Sequence, residues 1–434
     1  MYEIDLTQVE GALRRSTSLL RRTYTESPAG GGGWYHMLET PPPGATATAV
    51  ALLAFHAAGE KPHQLTDALA FLRARQLRDA DPRVDGGWWT NTSGERPVVE
   101  ATAWVIRCLA TLRCDSRPDS PDLDRAVEWL RRNRHPSGGW GSFADCPPRT
   151  WLTCLALRAL VAAAPYDPAV ESGVAWLLDQ RLFPRAWGAE PGATPRVAHT
   201  AMALTTLLAA GADPADERLR GRFDWLLEHV DTGSLDEKHN RVESTAVRLP
   251  SATGSEIWRP PPLMHYALPV AATALMRHPR VPEPDVTARL AEAVHRIVTD
   301  QCDDGSWPNN HDMNVTLWGV WPCVETLAGI RALPLARAAD RVVWAEGVVV
   351  LRHGDRDRPL AAALKPLLPA RPRPRPLRWA RRHWAWVVFA TFGLGGTAGL
   401  LAGLIEPKDL ALGLLVPVAL LVISAVMQRK QAEP

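Results

Sequence analysis

Residues 126–164, AVEWLRRNRHPSGGWGSFADCPPRTWLTCLALRALVAAA, pass from a mixed charged and apolar segment through Gly138-Gly139-Trp140 and Pro148 into a run of Leu, Ala and Thr. The first segment is patterned as a solvent-facing helix and the last as a buried one. The passage recurs along the chain. Gly33-Trp34, Gly87-Trp88, Trp187-Gly188 and Gly305-Ser306-Trp307 stand at equivalent places, with Trp258 as a weaker member, and successive tryptophans lie 54, 52, 47, 71 and 49 residues apart. This is the period of a helix-pair repeat, whose units bury an apolar face only by stacking on one another.

Outer helices are expected at Ala68–Gln76, Ala126–Arg132, Gly173–Gln180, Arg218–His229 and Val286–Thr299, all of mixed character. Inner helices are expected at Thr46–Ala58, Glu100–Leu112, Thr150–Ala164, His199–Ala210, Leu263–Arg277 and Thr316–Leu333, which carry few charges. Pro43, Pro97, Pro148, Pro195 and Pro262 mark boundaries. About six pairs alternating at this period can close on themselves and abolish the exposed ends of an open solenoid. The expected fold is therefore all-α, an α/α toroid over residues 1–335. The long interval from Trp187 to Trp258 holds an inserted loop that includes Asp231–Pro250. Residues 336–370 fit no repeat and are read as a connector.

The C-terminal region is of another kind. An Arg/Pro linker over 371–383 precedes two uncharged runs, Trp384–Ile405 and Leu410–Met427, separated by Glu406-Pro407-Lys408-Asp409. Each run approaches the ~20 apolar residues that cross a bilayer, so 384–427 is expected to be a two-helix transmembrane hairpin, followed by a tail over 428–434. Arg371, Arg373, Arg375, Arg378, Arg381 and Arg382 before it, with Arg429 and Lys430 after it, place the toroid and both termini in the cytoplasm. Gly395, Gly399 and Gly403 share one helix face, where another backbone could approach and the chain could oligomerise.

The balance of 49 basic against 47 acidic residues gives no global attraction for nucleic acid. Six cysteines without a CxxC pair read as buried or free thiols. The N-terminus lacks the apolar stretch of a secretory signal.

Gln301-Cys302-Asp303-Asp304-Gly305-Ser306-Trp307, Asp179-Gln180 before Trp187, Gln76 before Asp85-Gly86-Gly87-Trp88 and Asn133 before Gly138-Gly139-Trp140 resemble the repeats of the squalene-hopene cyclase and protein prenyltransferase superfamily over about residues 10–333. The resemblance implies an α/α toroid in which the Trp and Gln residues tie adjacent repeats together. It also implies two chemistries to look for. Proton-initiated cyclases carry an Asp-x-Asp-Asp-Thr-Ala motif. The counterparts here, Val98-Val99-Glu100-Ala101-Thr102-Ala103 and Arg196-Val197-Ala198-His199-Thr200-Ala201, retain at most one ionisable group close to the Thr-Ala pair. Protein prenyltransferases hold zinc on Asp, Cys and His. Asp300, Cys302 and His311 have those types, but the first two fall at the end of an outer helix, away from the lumen, so no metal or other cofactor is expected.

Arg96, Arg149 and Arg196 follow their repeat tryptophans by eight or nine residues, each just before an inner helix, and Arg259 precedes another in a different register. Arginine at a helix N-terminus is electrostatically disfavoured. Its recurrence suggests a compensating anion, either a ligand phosphate or carboxylate or the local acids Glu95, Glu100 and Asp145. Glu100, His199 and His265 lie one turn further in, as a sparse polar set in an apolar tube.

Two functions follow as expectations. One is a membrane-anchored cytoplasmic toroid that binds an apolar-tailed or anionic ligand, such as an isoprenoid or other lipid, or a protein segment, without cyclase acid-motif or zinc chemistry. It could act as a sensor coupled to its hairpin, for instance in bacterial defence. The alternative is a diverged terpenoid or polyprenyl cyclase or prenyltransferase-like enzyme on membrane lipid. Glu100 or His199 would then be the catalytic acid, and Arg96, Arg149, Arg196, Arg259 and His265 would form the anion-binding set.

Overall fold

The computed structural model describes residues 3–28, 30–35, 38, 43–89, 96–113, 121–179, 181–232, 242–245, 263–279, 283–307, 316–332, 341–345, 348–353 and 356–359. All lie within the unit Met1–Leu368. Among them are twelve helices, which alternate between an outer and an inner layer. The outer set is α1 (Leu6–Arg22), α3 (Leu65–Ala74), α5 (Leu123–Arg132), α7 (Pro168–Leu178), α9 (Glu217–His229) and α11 (Pro284–Thr299). The inner set is α2 (Ala45–Ala57), α4 (Val99–Leu112), α6 (Thr150–Ala163), α8 (Val197–Ala209), α10 (Ala267–Leu275) and α12 (Leu317–Ala332). Outer helices α1, α5, α7 and α9 begin on an Asp whose carboxylate accepts a backbone N–H of the first turn. They bury one stripe, as Ala126, Val127, Trp129 and Leu130 do in α5. Inner helices are buried nearly all round, and α2 is buried from Ala45 to Phe55 without interruption.

Each repeat tryptophan is a three-way joint. The indole N–H of Trp34, Trp88, Trp140, Trp187 and Trp307 donates to a carbonyl of the preceding outer helix, at Leu20, Leu72, Leu130, Leu177 and Ile297. The backbone N–H of the first four donates to a threonine hydroxyl of the following inner helix: Thr48, Thr102, Thr153 and Thr200, at 2.9–3.2 Å. The tryptophan carbonyl accepts from the backbone just before that helix. A fully buried indole thus fastens two layers while its polar atoms stay paired. The Thr102-Ala103 and Thr200-Ala201 pairs, which mark the counterparts of the cyclase motif, are accounted for here by packing.

The ring closes through its ends. Inner helices pack in the order α2, α4, α6, α8, α10, α12 and back to α2, and α1 packs on α12 as the missing outer partner. Gln301 reaches from the end of α11 to Ala12 O (2.9 Å) and Ser16 Oγ (3.0 Å) of α1, while Arg331 of α12 donates to Ala57 O and Ala58 O at the end of α2. At the same seam Gly305 has φ +94°, and a Cβ there would lie 2.3 Å from Arg15 O. Only glycine fits that conformation and that approach.

Two expectations change. Leu263–Tyr266 is not the start of an inner helix. It is a strand, β5, paired antiparallel with β4 (Val242–Thr245) of the insertion, with Glu243 opposite His265, and helix α10 begins only at Ala267. Local composition missed this because the pairing partner lies about twenty residues away. The connector also has structure. Strands β6 (Arg341–Ala345), β7 (Val348–His353) and β8 (Arg356–Pro359) form an antiparallel meander whose fourth strand is β1 (Glu3–Asp5), directly ahead of α1. A two-stranded β2 (Thr25–Glu26) and β3 (Gly32–Gly33) hairpin precedes Trp34. No disulfide joins the five described cysteines. The Arg/Pro linker and the expected hairpin at 384–427 with Gly395, Gly399 and Gly403 lie outside the described residues. No helix among the described residues is long and apolar enough to cross a membrane.

Candidate functional site

The Trp-to-Thr bond fixes the register of each inner helix, and with it the residues that share a level of the lumen. Two residues before the anchoring threonine stand Thr46, Glu100 and Trp151; two after it, Val50, Trp104, Leu155 and Met202; five after it, Leu53, Arg107, Arg158 and Thr205. Helix α12 falls into line through direct contacts. Glu325 joins Arg107 and Arg158, and Trp318, seven residues earlier, meets the indole of Trp104. Seven residues are two helical turns, about 10 Å along the axis.

The upper and middle levels are aromatic. Trp104 stands 5.9 Å edge-on from Trp321 and 6.3 Å from Trp318. Its own Nε1 is buried without a hydrogen-bond partner among the described residues. Glu100 keeps some exposure, yet burial pushes its carboxyl up to about 7 against the opposing effect of the Trp151 indole. Such a group is mostly protonated just below neutral pH and can both give and take a proton there.

The lower level is charged. Arg107 Nη2 and Arg158 Nη2 donate to the same oxygen, Glu325 Oε1, at 2.8 and 2.9 Å. Among the inner helices α12 packs on α10 and α2, so these bonds to α4 and α6 reach across the ring. The Arg107 guanidinium also lies over the rings of Trp104 and Trp321, at 5.3 and 5.2 Å. Burial, with Arg158 close by, lowers the Arg107 pKa to about 10. Arg158, Arg107 and Arg277 together hold the Glu325 carboxyl at about 2, against the effect of its own burial. The side chains of Arg107, Arg158 and Glu325 keep exposures of 15%, 17% and 22%.

The mouth is where the sequence pointed first. Arg149 and Arg196 occupy the N-cap positions of α6 and α8, and Arg96 lies two residues before the N-cap of α4. Arg96 stacks on Phe143 and stands 3.9 Å from Asp145, and Arg149 stands 3.7 Å from Glu190. Some helix-end donors are engaged as well, Val99 N–H with Ser142 O and Thr150 N–H with Ala189 O. His199 is buried near the start of α8. His265 is placed on β5 by its backbone alone, and Arg259 lies outside the described residues. Asp300 caps the end of α11 and Cys302 sits in the Gly305 turn, while His311 lies outside the described residues. Among the described residues no cluster of three His, Cys, Asp or Glu could hold a metal.

Residues 33–187 match the squalene-hopene cyclase C-terminal domain family. Over those residues the chain resembles that family, and its helices form an α/α toroid. Cellobiose 2-epimerase from Spirochaeta thermophila has the same fold at 17% identity, with a TM-score of 0.52 over 75% of this chain and 96% of that one. The type II terpene cyclase MstE from Scytonema aligns at 15% identity and a TM-score of 0.49, over 75% and 98% of the two chains. The ent-copalyl diphosphate synthase from Streptomyces platensis aligns at 16% and 0.39, over 67% and 49%. No curated protein matches the toroid by sequence.

Sequence reasoning singled out Glu100 but not Arg107, Arg158, Glu325 or the indoles of Trp104, Trp318 and Trp321. A signal was present. Arg107 and Arg158 each follow the anchoring threonine by five residues and each interrupt an apolar helix, as Glu325 does in Cys323-Val324-Glu325-Thr326-Leu327. A charge in the middle of a buried helix calls for a partner or a ligand.

Proposed function

We propose that the toroid is a ligand chamber, held at a membrane by the hairpin at 384–427, which takes an apolar or aromatic molecule with an anionic group. The observation that carries this reading is a set of partly exposed polar side chains, Glu100, Arg107, Arg158 and Glu325, held beside an indole cluster inside the ring. The indoles of Trp104, Trp318 and Trp321 pack on one another there, with Glu100 one turn before Trp104 and the Arg107–Glu325–Arg158 cluster one turn after it. A concave apolar surface with a few convergent polar groups is the usual character of a small-molecule site. The test is calorimetric titration of the full chain in lipid nanodiscs with 1-octanol, a neutral amphiphile, beside a Trp104→Ala/Trp321→Ala variant. Saturable binding that the double variant loses is expected. Equal heats from both proteins and from empty nanodiscs would remove the chamber reading. Membrane tethering is checked separately, since a chain ending at residue 370 should leave the membrane fraction.

Glu100 favours a second reading, an acid–base enzyme on a prenyl or other lipid. Its raised pKa keeps a proton available, but an acid near 7 is a weak donor to an alkene and suits transfer to an oxygen better. Turnover of a candidate lipid that survives Glu100→Gln would exclude Glu100 as that acid.

A further inference from the structure

The floor of the lumen holds more cation than a structural ion pair requires. Two guanidinium groups, of Arg107 and Arg158, share one carboxylate, Glu325, and the exposed Arg277 adds to the positive field around it. A guanidinium offers five N–H donors. Arg107 and Arg158 each give Glu325 one nitrogen, and both use the same oxygen. Arg107 Nη1 is out of contact with solvent and has no hydrogen-bond partner among the described residues. A buried, under-compensated charge is costly, and replacing such a cluster by apolar side chains commonly stabilises a fold. Packing alone therefore gives a poor account of this arrangement. The surplus charge also has a defined apolar neighbour, because Arg107 sits against the indoles of Trp104 and Trp321.

We infer that Arg107 and Arg158 form a receptor for the single oxyanion head of an amphiphile, a carboxylate or a phosphate monoester, whose apolar body runs along Trp104, Trp318 and Trp321 towards Glu100. The inference rests on the chamber reading above and adds the orientation and the head group: the anion sits at the floor, below the arginines of the mouth. The two turns from Arg107 back to Glu100 set the length of the body at about 10 Å, close to an octyl chain. Glu325 acts as an internal competitor, occupying donors that the ligand head would otherwise take.

The test compares octanoate, octyl phosphate, 1-octanol and inorganic phosphate as calorimetric titrants of the full chain in nanodiscs, with empty nanodiscs subtracted. Variants are Arg107→Gln/Arg158→Gln and Glu325→Gln. An octyl anion is expected to bind at least about tenfold tighter than octanol, the fold-change of one charge-assisted hydrogen bond. The double arginine variant should reduce that anion to the octanol level and leave octanol unchanged. Glu325→Gln should tighten anion binding several-fold, a direction that a purely structural role for the cluster does not give. Should that variant be marginally stable, its melting temperature should rise more with octanoate than that of the wild type. The tighter of octanoate and octyl phosphate identifies the head. Octanol binding as well as both anions would overturn the receptor while leaving the chamber standing, and a failure of every octyl compound to bind would remove both. An anion preference that persists in the double arginine variant would place the site elsewhere, and inorganic phosphate binding as tightly as octyl phosphate would overturn the apolar body.

Discussion

The hydroxyl of Thr153 holds the backbone N–H of Trp140 at 2.9 Å, and through that bond the position of one turn residue sets which side chains of α6 face the lumen. Trp151 stands two residues before the threonine and Arg158 five after it, on the face that carries Glu100 and Arg107 of α4. Register and site are therefore one problem in this fold, because an inner helix that turned or slid would carry its lumen residues out of level.

Thr153→Val keeps the shape and removes the acceptor, leaving a buried N–H unpaired. The cost expected in urea denaturation is about 1–3 kcal/mol. Thr153→Ser, which keeps the oxygen, should recover most of it, and a valine variant as stable as the serine one would deny the bond its role.

Gly305→Ala and Gly192→Ala separate backbone strain from ring closure. Both glycines have positive φ, +94° and +78°, but only a Cβ at 305 meets the backbone of α1, whereas nothing lies within 4 Å at 192. Gly192→Ala should cost the conformational penalty alone, about 1–2 kcal/mol. Gly305→Ala should cost clearly more and should raise hydrogen exchange in α1. Equal costs for the two would mean that α1 is not the keystone of the ring.

Trp88 and Trp104 are both fully buried, yet only the first has its indole N–H paired, to Leu72 O at 2.8 Å. Replacement of each by Phe loses similar area but different hydrogen bonding. Trp88→Phe should be the more destabilising by about 1–2 kcal/mol in thermal unfolding, since it orphans a carbonyl and Trp104→Phe relieves an unpaired donor. The reverse order would imply that Trp104 is a joint of the fold and not part of the wall.

Much of the architecture was legible because the repeat writes itself locally. A Gly-Trp turn, a proline and an apolar helix recur within some fifty residues, and burial of each tryptophan needs only its own repeat and the next. Other features join residues far apart in the chain. Strand β1 pairs Glu3 with Val343, and Glu325 crosses the ring to Arg107 and Arg158. Three-residue strands carry too little pattern to name a distant partner, and a lone charge in an apolar helix reads as an exception until the helices are brought to a common level. The arginines of the mouth stood out for the opposite reason, since their distance from the repeat tryptophan is visible in the sequence itself. Two of them, Arg96 and Arg149, meet acids of nearby loops.

Glu100 gives the protein a pH dependence of definite sign. Its folded pKa, about 7, lies above that of an unfolded glutamate, about 4.3. The native state therefore holds the proton more tightly, so this contribution is fully present below the unfolded value and is lost as pH rises through 7. Glu100→Gln, neutral at every pH, removes the effect. The variant should gain on the wild type between pH 4.5 and 8 by up to roughly 3 kcal/mol, with the difference level above that range. Urea denaturation of both proteins at pH 5 and pH 8 measures it. A stability difference that stays constant between those two values would mean that the Glu100 carboxyl is solvated and ionised throughout, and with it would go the proton that the enzymatic reading needs.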